Sequence, residues 1–475
     1  MKKKQTSLTF LRKGERNMSK YFPVIGMEIH VELKTKSKMF CQCSANYFGK
    51  EPNTNTCPVC LGMPGALPVP NHQAVEWTIK IGQALNCSIN KHTKFDRKHY
   101  YYPDLPKGYQ ISQYDEPIAI NGHLNVTLKA KDGTLTEKRF NITRVHLEED
   151  TGKLTHAGED TLVDFNRSSV PLVEIVTEPD FENADDVKVF LEELHTIIRT
   201  LDVSDADMEK GSMRMEPNIS LSIYADKEKR MKNLPKYKVE VKNINSFNFA
   251  KKAIEYELKR QAEILDKGET PTQETRGYNE DKGITYSQRS KEEAQDYRYF
   301  PEPDIPPMEF TDEFINKVKN TVPILPAKKV KRYMNNHKLK YEDAFILTRD
   351  NGLSQYYESL VKLLSAEKNI DLKKQTIEQA IANVIVNKRI PTTLSREEFA
   401  KKFAELFRKV EVDESQLQAA LEKAVKENQK AVTDYKSGKT NAVMALVGTV
   451  MREMRGQADA MDVRKRLEQL LQDRA

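Results

Sequence analysis

The stretch VIGMEIHVEL, residues 24–33, predicts a β-strand with two chemically different faces. Its odd-numbered positions from 27 onward are all apolar, which is typical of a strand that packs on a hydrophobic core. Glu28, His30 and Glu32 occupy the opposite face. Because carboxylate and imidazole groups bind cations, this polar face predicts a metal site.

Four cysteines follow this strand in two close pairs, C-x-C and C-x-x-C, joined by a loop: Cys41, Cys43, Cys57 and Cys60. Four thiolates at this spacing favour a tetrahedral Zn²⁺ at about 2.3 Å from each sulfur. A closed set of four sulfurs leaves no open coordination position, so we predict a structural zinc. The alternatives are unligated cysteines or an iron–sulfur cluster. The fifth cysteine, Cys87, is predicted to be a buried, inert thiol.

The chain has 475 residues, 38% of them hydrophobic and 31% charged, with a net charge of +6. This length predicts several domains, and the few cysteines fit a reducing, cytoplasmic setting. No apolar run is long enough to span a membrane. We expect an α+β fold, with an antiparallel-sheet domain at 21–310, an all-helical domain at 311–408 and a small helical tail at 409–475. Residues 1–20 are expected to be a disordered extension, with Met18 as the natural start.

Period-2 patterns predict strands, and 3.6-residue patterns predict helices. The strand candidates are 123–130, 138–150, 170–180, 212–225 and 237–247, and the helix candidates in the same domain are 73–86 and 184–201. In the tail, an apolar stripe runs from Val443 to Met454. A second stripe from Val463 to Leu471 follows Asp462, which we predict as an N-cap. Basic residues flank both stripes, which indicates either a solvated face or contact with nucleic acid.

A second acid-rich segment, TRVHLEEDTGK, places His146, Glu148 and Asp150 on one face of a strand. Together with Glu28 and His30 it predicts one Mg²⁺ site, since Mg²⁺ takes oxygen ligands and often bridges nucleotide phosphates. The alternative is a set of surface carboxylates that pair with lysine and arginine. No P-loop, G-x-G-x-x-G unit, nucleophile elbow or protein-kinase motif is present in the sequence.

Further polar residues fall on neighbouring candidate strands. Glu174 lies within an apolar run, where an idle carboxylate would be costly. Arg214 and Lys242 lie on polar stripes of two later strands. A sheet lined by acids, arginine and lysine suits a nucleotide triphosphate and its metal.

Several long motifs occur in the order found in one family. The motifs are GMEIHVEL, YYPDLPKGYQISQ, HLEEDTGK, DFNRSSVPLVEIVTEPD, GSMRMEPNIS, EVKNINSF, DYRYFPEPDIPP and LVGTVMREMRGQAD. In these motifs the chain resembles the B subunits of the aspartyl/glutamyl-tRNA(Asn/Gln) amidotransferases (GatB). The similarity runs from about residue 21 to the C-terminus.

The resemblance implies an ATP-dependent carbon–nitrogen ligase with glutamine as the amide donor. Such a protein works in a heterotrimer with an amidase A subunit and a small C subunit. It uses ATP and Mg²⁺ to phosphorylate the side-chain carboxylate of Glu on tRNA(Gln) or Asp on tRNA(Asn), and ammonia from the A subunit then displaces phosphate. The sheet domain, or cradle, holds this site, and the helical and tail domains recognise tRNA.

The family's metal-binding positions match Glu28, His30, Glu148 and Asp150, which we take as the catalytic residues, with Mg²⁺ on the first three. We further expect Lys107, Arg214 and Lys242 to neutralise phosphate charge, and Glu174 to belong to the same nucleotide site. The four-cysteine cage, present in some members of the family, is complete here.

Two other hypotheses remain open. In the first, the chain binds tRNA as a non-catalytic zinc protein, whose acidic residues form structural ion pairs. In the second, it acts alone as an ATP-dependent amide ligase on a small substrate, although the basic helical third would then have no clear purpose. Either Glu-tRNA(Gln) or Asp-tRNA(Asn), or both, fits the main hypothesis.

Overall fold

The structure is a computed structural model. It describes residues 20–130, 132–290, 298–367, 370, 372, 375–408, 413–454 and 458–472. The predicted N-terminal extension and its start at Met18 lie outside the described residues, except for Lys20.

The chain divides into two compact units. The first unit comprises Met1–Tyr333 and Ala344–Asn351, and the second comprises Met334–Asp343 and Gly352–Ala475. The predicted domain boundaries near residues 310 and 408 stay predictions, because this division tests neither of them.

The strands belong to the first unit. In chain order they are β1 Phe22–Glu32, β2 Ser88–Ile89, β3 His92–Thr93, β4 Asp96–His99, β5 Tyr109–Ser112, β6 Ala119–Lys129, β7 Leu135–Glu149, β8 Lys153–Ala157, β9 Asp160–Asp164, β10 Pro171–Thr177, β11 Met213–Ser222, β12 Val239–Lys242, β13 Glu274–Asn279, β14 Ile284–Ser290, β15 Arg298–Pro301 and β16 Met308–Glu309.

Nine of these strands form one sheet in the order β14-β13-β12-β11-β1-β10-β7-β6-β2. Strand β1 lies at the centre and pairs with both β10 and β11. The described pairings in this sheet are antiparallel except for β12 with β13, which run parallel. A smaller sheet has the order β15-β4-β5, and β8 pairs with β9. The predicted α+β class with an antiparallel sheet is confirmed.

The helices follow in the same order. They are α1 His72–Ala84, α2 Ala184–Leu201, α3 Lys227–Lys232, α4 Phe247–Asp266, α5 Asp312–Lys319, α6 Pro326–Asn336, α7 Tyr341–Thr348, α8 Asn351–Leu364, α9 Ile377–Val386, α10 Arg396–Leu406, α11 Glu414–Glu427, α12 Gln429–Lys436, α13 Val443–Glu453 and α14 Ala460–Gln472. Among the described residues, none of these helices has the length and apolarity needed to cross a membrane.

Helices α1, α2 and α4 pack against one face of the large sheet. That face supplies fully buried side chains from its central strand, including Met27, Ile29 and Val31. Since side chains alternate along a strand, the intervening positions of β1 project to the opposite side of the sheet. We call this side, which carries Glu28 and His30, the polar face.

Local capping explains where the predicted helix α2 begins and ends. The Asn183 side chain accepts a hydrogen bond from the Asp186 backbone, and two aspartates occupy the first turn, where negative charge is stabilised. The helix ends at Asp202, whose left-handed backbone (φ 59°) closes the last turn. The element therefore matches the predicted range of 184–201.

The candidate strand 237–247 is shorter than predicted. Strand β12 ends at Lys242, and Asn243 adopts a left-handed conformation with φ of 62°, which no extended strand can continue. The Ser246 hydroxyl then accepts a hydrogen bond from the Phe249 N–H and caps α4. The prediction of strand up to Phe247 was wrong because these capping and turn residues end it.

The second unit contains the two predicted apolar stripes of the tail. Helices α11, α13 and α14 share a hydrophobic core that includes Val450 and Leu467, as the stripes predicted. The predicted N-cap at Asp462 was wrong, since α14 begins at Ala460. The Asp459 carboxylate accepts from the Met461 and Asp462 backbone N–H groups and caps the helix instead.

Candidate functional site

The register of the central strands aligns polar side chains in rows across the polar face. His30 on β1 lies opposite Arg214 on β11 and opposite Glu174 on β10, and Glu174 in turn lies opposite His146 on β7. In the next row, Glu28 lies opposite Glu216. Strands that are far apart in sequence therefore bring their polar side chains into one surface.

The first acidic cluster consists of His30, Glu148 and Glu174. One ligand atom from each lies within 4.8 Å of the others, so the three residues can hold a metal ion. The His30 Nε2 atom lies 3.6 Å from the Glu148 carboxylate and 3.7 Å from that of Glu174. The other ring nitrogen of His30 is buried without a hydrogen-bond partner in the described structure. Both carboxylates are buried.

Neighbouring groups keep these buried carboxylates ionised. Burial acts to raise the pKa of Glu148 and Glu174, but His146, together with the charges of Lys98 and His30, outweighs it. The pKa of Glu148 is lowered, and that of Glu174 lies well below its ordinary value. The Glu174 carboxylate is 3.1 Å from His146 Nε2, and Ser112 donates to Glu148 at 3.1 Å. The cluster therefore presents negative charge at neutral pH.

The second acidic cluster consists of Glu28, Glu216 and Glu240, whose carboxylate oxygens also lie within 4.8 Å of one another. Lys242 lies 2.9 Å from Glu216 and 3.5 Å from Glu240. Burial would raise the pKa of Glu216, but the Lys242 charge lowers it to about 2. The Asn218 amide donates to Glu28 at 2.9 Å. The all-oxygen donor set is the kind that Mg²⁺ prefers.

The predicted magnesium ligands are thus divided between the two clusters. His30 and Glu148 come together with Glu174, whereas Glu28 joins Glu216 and Glu240. The alternation of polar and apolar residues along β1 and β7 predicted that each of these strands has one polar face. It did not reveal which residues of more distant strands complete each cluster.

The other predicted site residues form ion pairs. Arg214 contacts Asp150 at 2.6 Å, and Lys107 contacts Glu149 at 2.7 Å. Burial opposes ionisation of Asp150, but Arg167 and Arg214 hold its pKa well below the ordinary value. Asp150 therefore lies beside the first cluster as the ion-pair partner of Arg214. Lys107 is held in the same way by the carboxylate of Glu149.

A cavity of about 570 Å³ opens beside the second cluster. Its lining includes Arg214, Glu216 and Lys242, which the cavity shares with the polar face. Asn243, with its left-handed backbone, and Tyr278 also line it. The Tyr278 hydroxyl is buried and has no hydrogen-bond partner among the described residues. The cavity therefore offers cations, carboxylates and free polar groups to one ligand.

Lys98 is a site residue that the sequence did not indicate. Burial acts to lower its pKa, but the charge of Glu148 and other nearby groups raises it. The residue lies on β4, in the small sheet next to the first cluster. Its segment carries no motif, and only the packing of two sheets places the ammonium near the carboxylates.

The four cysteines of the cage lie together, with all Sγ atoms within 4.8 Å of one another. The Cys60 sulfur is buried, and the Cys57 backbone N–H donates to it at 3.1 Å. A hydrogen bond with Cys41 lowers the pKa of the Cys60 thiol to about 5, while burial raises that of Cys43 to about 11. The predicted cluster is confirmed as a set that can hold a metal ion such as zinc.

Comparison with known families accounts for nearly the whole chain. Residues 23–316 match the model of the GatB/GatE catalytic domain, and residues 316–471 match that of the GatB domain. The mixed sheet with its polar face and the helical region that follows thus define a GatB-type catalytic subunit.

Curated relatives define the family more closely. The B subunit of the aspartyl/glutamyl-tRNA(Asn/Gln) amidotransferase from Thermotoga sp. (strain RQ2) is 43% identical over 491 residues, covering 95% of this chain and 99% of the relative. The protein of the same name from Carboxydothermus hydrogenoformans is 43% identical over 493 residues, covering 96% and 99%. The chain belongs to the family of aspartyl/glutamyl-tRNA(Asn/Gln) amidotransferase B subunits, as its motifs predicted.

Proposed function

We propose that this chain phosphorylates the side-chain carboxylate of Glu on tRNA(Gln) or Asp on tRNA(Asn), at the expense of ATP, and then converts it to the amide with ammonia. The observation that carries the proposal is the polar face, where two acidic clusters lie beside a cavity lined by Arg214 and Lys242. Family membership supports the same activity.

The acidic clusters fit a divalent cation. Glu28, Glu216 and Glu240 supply three carboxylates with Lys242 as the nearest cation, and His30 offers its Nε2 atom beside Glu148 and Glu174. Carboxylates that lie this close together would repel one another if no cation lay between them. When bound, Mg²⁺ neutralises phosphate charge and orients the phosphoryl group for in-line transfer. We assign Glu28, His30 and Glu148 to metal binding, with Glu174, Glu216 and Glu240.

Two basic side chains of the site are positioned to stabilise phosphate charge. Arg214 and Lys242 line the cavity but are held by carboxylates on the polar face. This arrangement keeps their side chains in place before a nucleotide arrives. A triphosphate in the cavity would offer them further anionic oxygens, and phosphoryl transfer depends on such charge stabilisation rather than on a protein nucleophile.

Phosphorylation explains why ATP is required. A carboxylate does not react with ammonia at a useful rate, because it lacks a leaving group, and transfer of the γ-phosphoryl group to its oxygen creates one. Ammonia then forms the carbon–nitrogen bond, and the carbon–oxygen bond to phosphate breaks. The new amide retains two of the three ammonia hydrogens. We assign acceptance of the released proton to the unpartnered nitrogen of His30.

Other chains complete the reaction. The sequence contains no glutaminase motif, so we infer that ammonia comes from an amidase A subunit, with a small C subunit in the same cytoplasmic heterotrimer. The helical tail at 409–475 is proposed to contact tRNA. On its surface Arg452 and Lys465 are exposed, whereas Arg466 is engaged by Glu414. We assign a structural zinc to the cysteine cage, which makes no contribution to the chemistry.

The non-catalytic alternative is not favoured. A protein that only bound tRNA would have no use for carboxylates clustered beside a cavity, because they repel phosphate unless a cation intervenes. A free-standing ligase acting on a small substrate is likewise at odds with family membership.

Conversion of Glu-tRNA(Gln) to Gln-tRNA(Gln) tests the proposal. The chain is assayed with ATP and Mg²⁺, with and without its two partner subunits, using either glutamine or free ammonia. We expect glutamine-dependent conversion by the full complex, and ATP-dependent conversion with ammonia when the glutaminase of the amidase partner is inactivated. ATP-independent tRNA binding alone would support the non-catalytic alternative, and activity on free glutamate would support the free-standing ligase.

A further inference from the structure

Lys38 is a wholly buried lysine beside the cysteine cage. Its side chain is 0% exposed, and its backbone N–H donates to the Cys43 carbonyl at 2.8 Å. Its ammonium lies 3.7 Å from the Cys60 sulfur and 3.4 Å from the Phe165 carbonyl oxygen. Within the part of the chain that the structure describes, no carboxylate lies within ion-pair distance of this ammonium.

A buried ammonium without an anion is costly. Its hydration is lost on folding, and one carbonyl oxygen does not replace it. Lys107, a half-buried lysine of the same unit, has such a partner, since it lies 2.7 Å from a carboxylate of Glu149. At Lys38 the only atom among the described residues that can become anionic and lies within reach is the sulfur of Cys60.

The cage carries the charge that Lys38 lacks. Four thiolates around a divalent ion sum to a net double negative charge, which also requires compensation inside a fold. Cys60, the buried member of the cage, is the one that the ammonium approaches. The two charges are therefore complementary, and each reduces the cost of burying the other.

We propose that Lys38 is the counter-ion of a metal–thiolate centre at Cys41, Cys43, Cys57 and Cys60, and that it determines how tightly the cage retains its metal. This role is independent of the amidotransferase activity. It commits the cage to a charged tetrathiolate, since four neutral thiols or a disulfide would leave the ammonium uncompensated.

The same contacts attach the cage to the polar face. Lys38 donates to the carbonyl of Phe165, and the Ser168 hydroxyl donates to the Cys60 carbonyl at 3.4 Å. The next residue, Ser169, donates its backbone N–H to the Asp150 carbonyl at 2.9 Å. Lys38 thus connects the loaded cage to the segment that precedes β10 and supports Asp150.

Thermal unfolding of the full chain distinguishes a counter-ion from an ordinary structural lysine. Wild type and Lys38→Met are compared with zinc bound and after its removal by a chelator. A counter-ion role predicts a lower Tm for Lys38→Met when zinc is bound, and an unchanged or higher Tm when zinc is absent, because the ammonium is then an unpaired charge. An equal loss of Tm in both states would overturn the proposal.

Zinc affinity provides the second readout, measured by competition with a chromogenic chelator. We expect Lys38→Gln, which keeps a hydrogen-bond donor but no charge, to weaken zinc binding about 10–100-fold, as loss of an outer-sphere partner does at other metal sites. Lys38→Arg should retain most of the affinity, and the exposed Lys36→Met should match wild type.

These variants also keep the test decisive if Lys38→Met does not fold. Zinc binding by Lys38→Gln at wild-type affinity would contradict the proposal, and so would an equal loss in Lys38→Gln and Lys38→Arg. None of these measurements depends on amidotransferase activity. A result that contradicts the role of Lys38 therefore does not contradict the proposed amidation, and a failure of the amidation assay does not contradict the role of Lys38.

Discussion

The polar face and the cysteine cage are close in the chain but differ in chemistry. Both bring ligand atoms within 4.8 Å of one another. The cage uses four sulfurs from one loop, and Lys38 is its only buried cation within hydrogen-bond distance among the described residues. The polar face collects oxygen and nitrogen donors from strands that are distant in sequence, next to a cavity.

This difference indicates how each region is used. A closed set of four sulfurs satisfies zinc completely and leaves no position for a substrate, as in structural zinc sites. Oxygen donors around a weakly held magnesium leave room for phosphates and water. A sequence stretch that presents two metal-binding patterns can therefore contribute to two centres, of which only one takes part in the proposed reaction.

The largest expected effect is on stability, when the cage is opened. Cys60→Ser, or removal of zinc, should lower the free energy of unfolding by more than about 4 kcal/mol, because metal loss is among the few single changes of that size. Denaturant unfolding of the full chain measures it, with Cys87→Ser as the matched control. A loss below about 1 kcal/mol, in the range of ordinary substitutions, would mean that the cage is not a structural centre.

The next effect is on catalysis, when a carboxylate of the polar face is neutralised. Glu148→Gln keeps the shape of the side chain but removes a buried charge, and should reduce the rate of amidation by the assembled complex about 10²–10³-fold. Zinc content should stay the same. The exposed Glu159→Gln serves as the control. Normal ATP-dependent amidation by Glu148→Gln, and by Glu28→Gln, would remove the polar face from the mechanism.

A smaller effect is expected at the cavity. Lys242→Met removes a cation that lines the cavity and contacts Glu216 at 2.9 Å, so KM for ATP should rise about tenfold, equivalent to one charge-assisted contact. Steady-state kinetics with saturating aminoacyl-tRNA measures it, and the exposed Lys282→Met provides the comparison. An unchanged KM for ATP in Lys242→Met would indicate that the nucleotide does not bind in this cavity.

The smallest effect concerns Cys87, which lies outside the cage. Burial raises the pKa of its thiol to about 12, so it stays protonated at neutral pH, and only the thiolate is nucleophilic. Its alkylation by iodoacetamide should be slow at pH 8 and should accelerate about tenfold per pH unit towards the pKa. Mass mapping follows each cysteine. Cys87 is half-buried; rapid modification at pH 8 would contradict the raised pKa, and Cys87→Ala should leave amidation and zinc content unchanged.

Local periodicity was sufficient to predict much of the framework. Alternation along residues 24–33 predicted the two faces of β1, because a strand imposes that alternation whatever its neighbours are. The 3.6-residue pattern predicted α2, and the cysteine spacing predicted the cage. These features depend on residues that are close in sequence.

Features that depend on distant partners could not be predicted. The grouping of Glu28 with Glu216 and Glu240 requires the register of three strands, and no single segment carries that information. Arg214 was predicted as a phosphate ligand, and its pairing with Asp150 emerged only from the packed sheet. Helix α4 was also missed, since its start depends on the turn at Asn243 and the cap at Ser246.

The separation of the two metal centres is tested most directly on the wild-type complex. ADP formation that depends on Glu-tRNA(Gln) is measured before and after zinc is removed, in excess Mg²⁺ and below the unfolding temperature, with circular dichroism to confirm the fold. We predict that the rate per folded complex is unchanged without zinc and is abolished when Mg²⁺ is omitted. A rate that falls in proportion to the zinc lost, while the fold persists, would contradict the account.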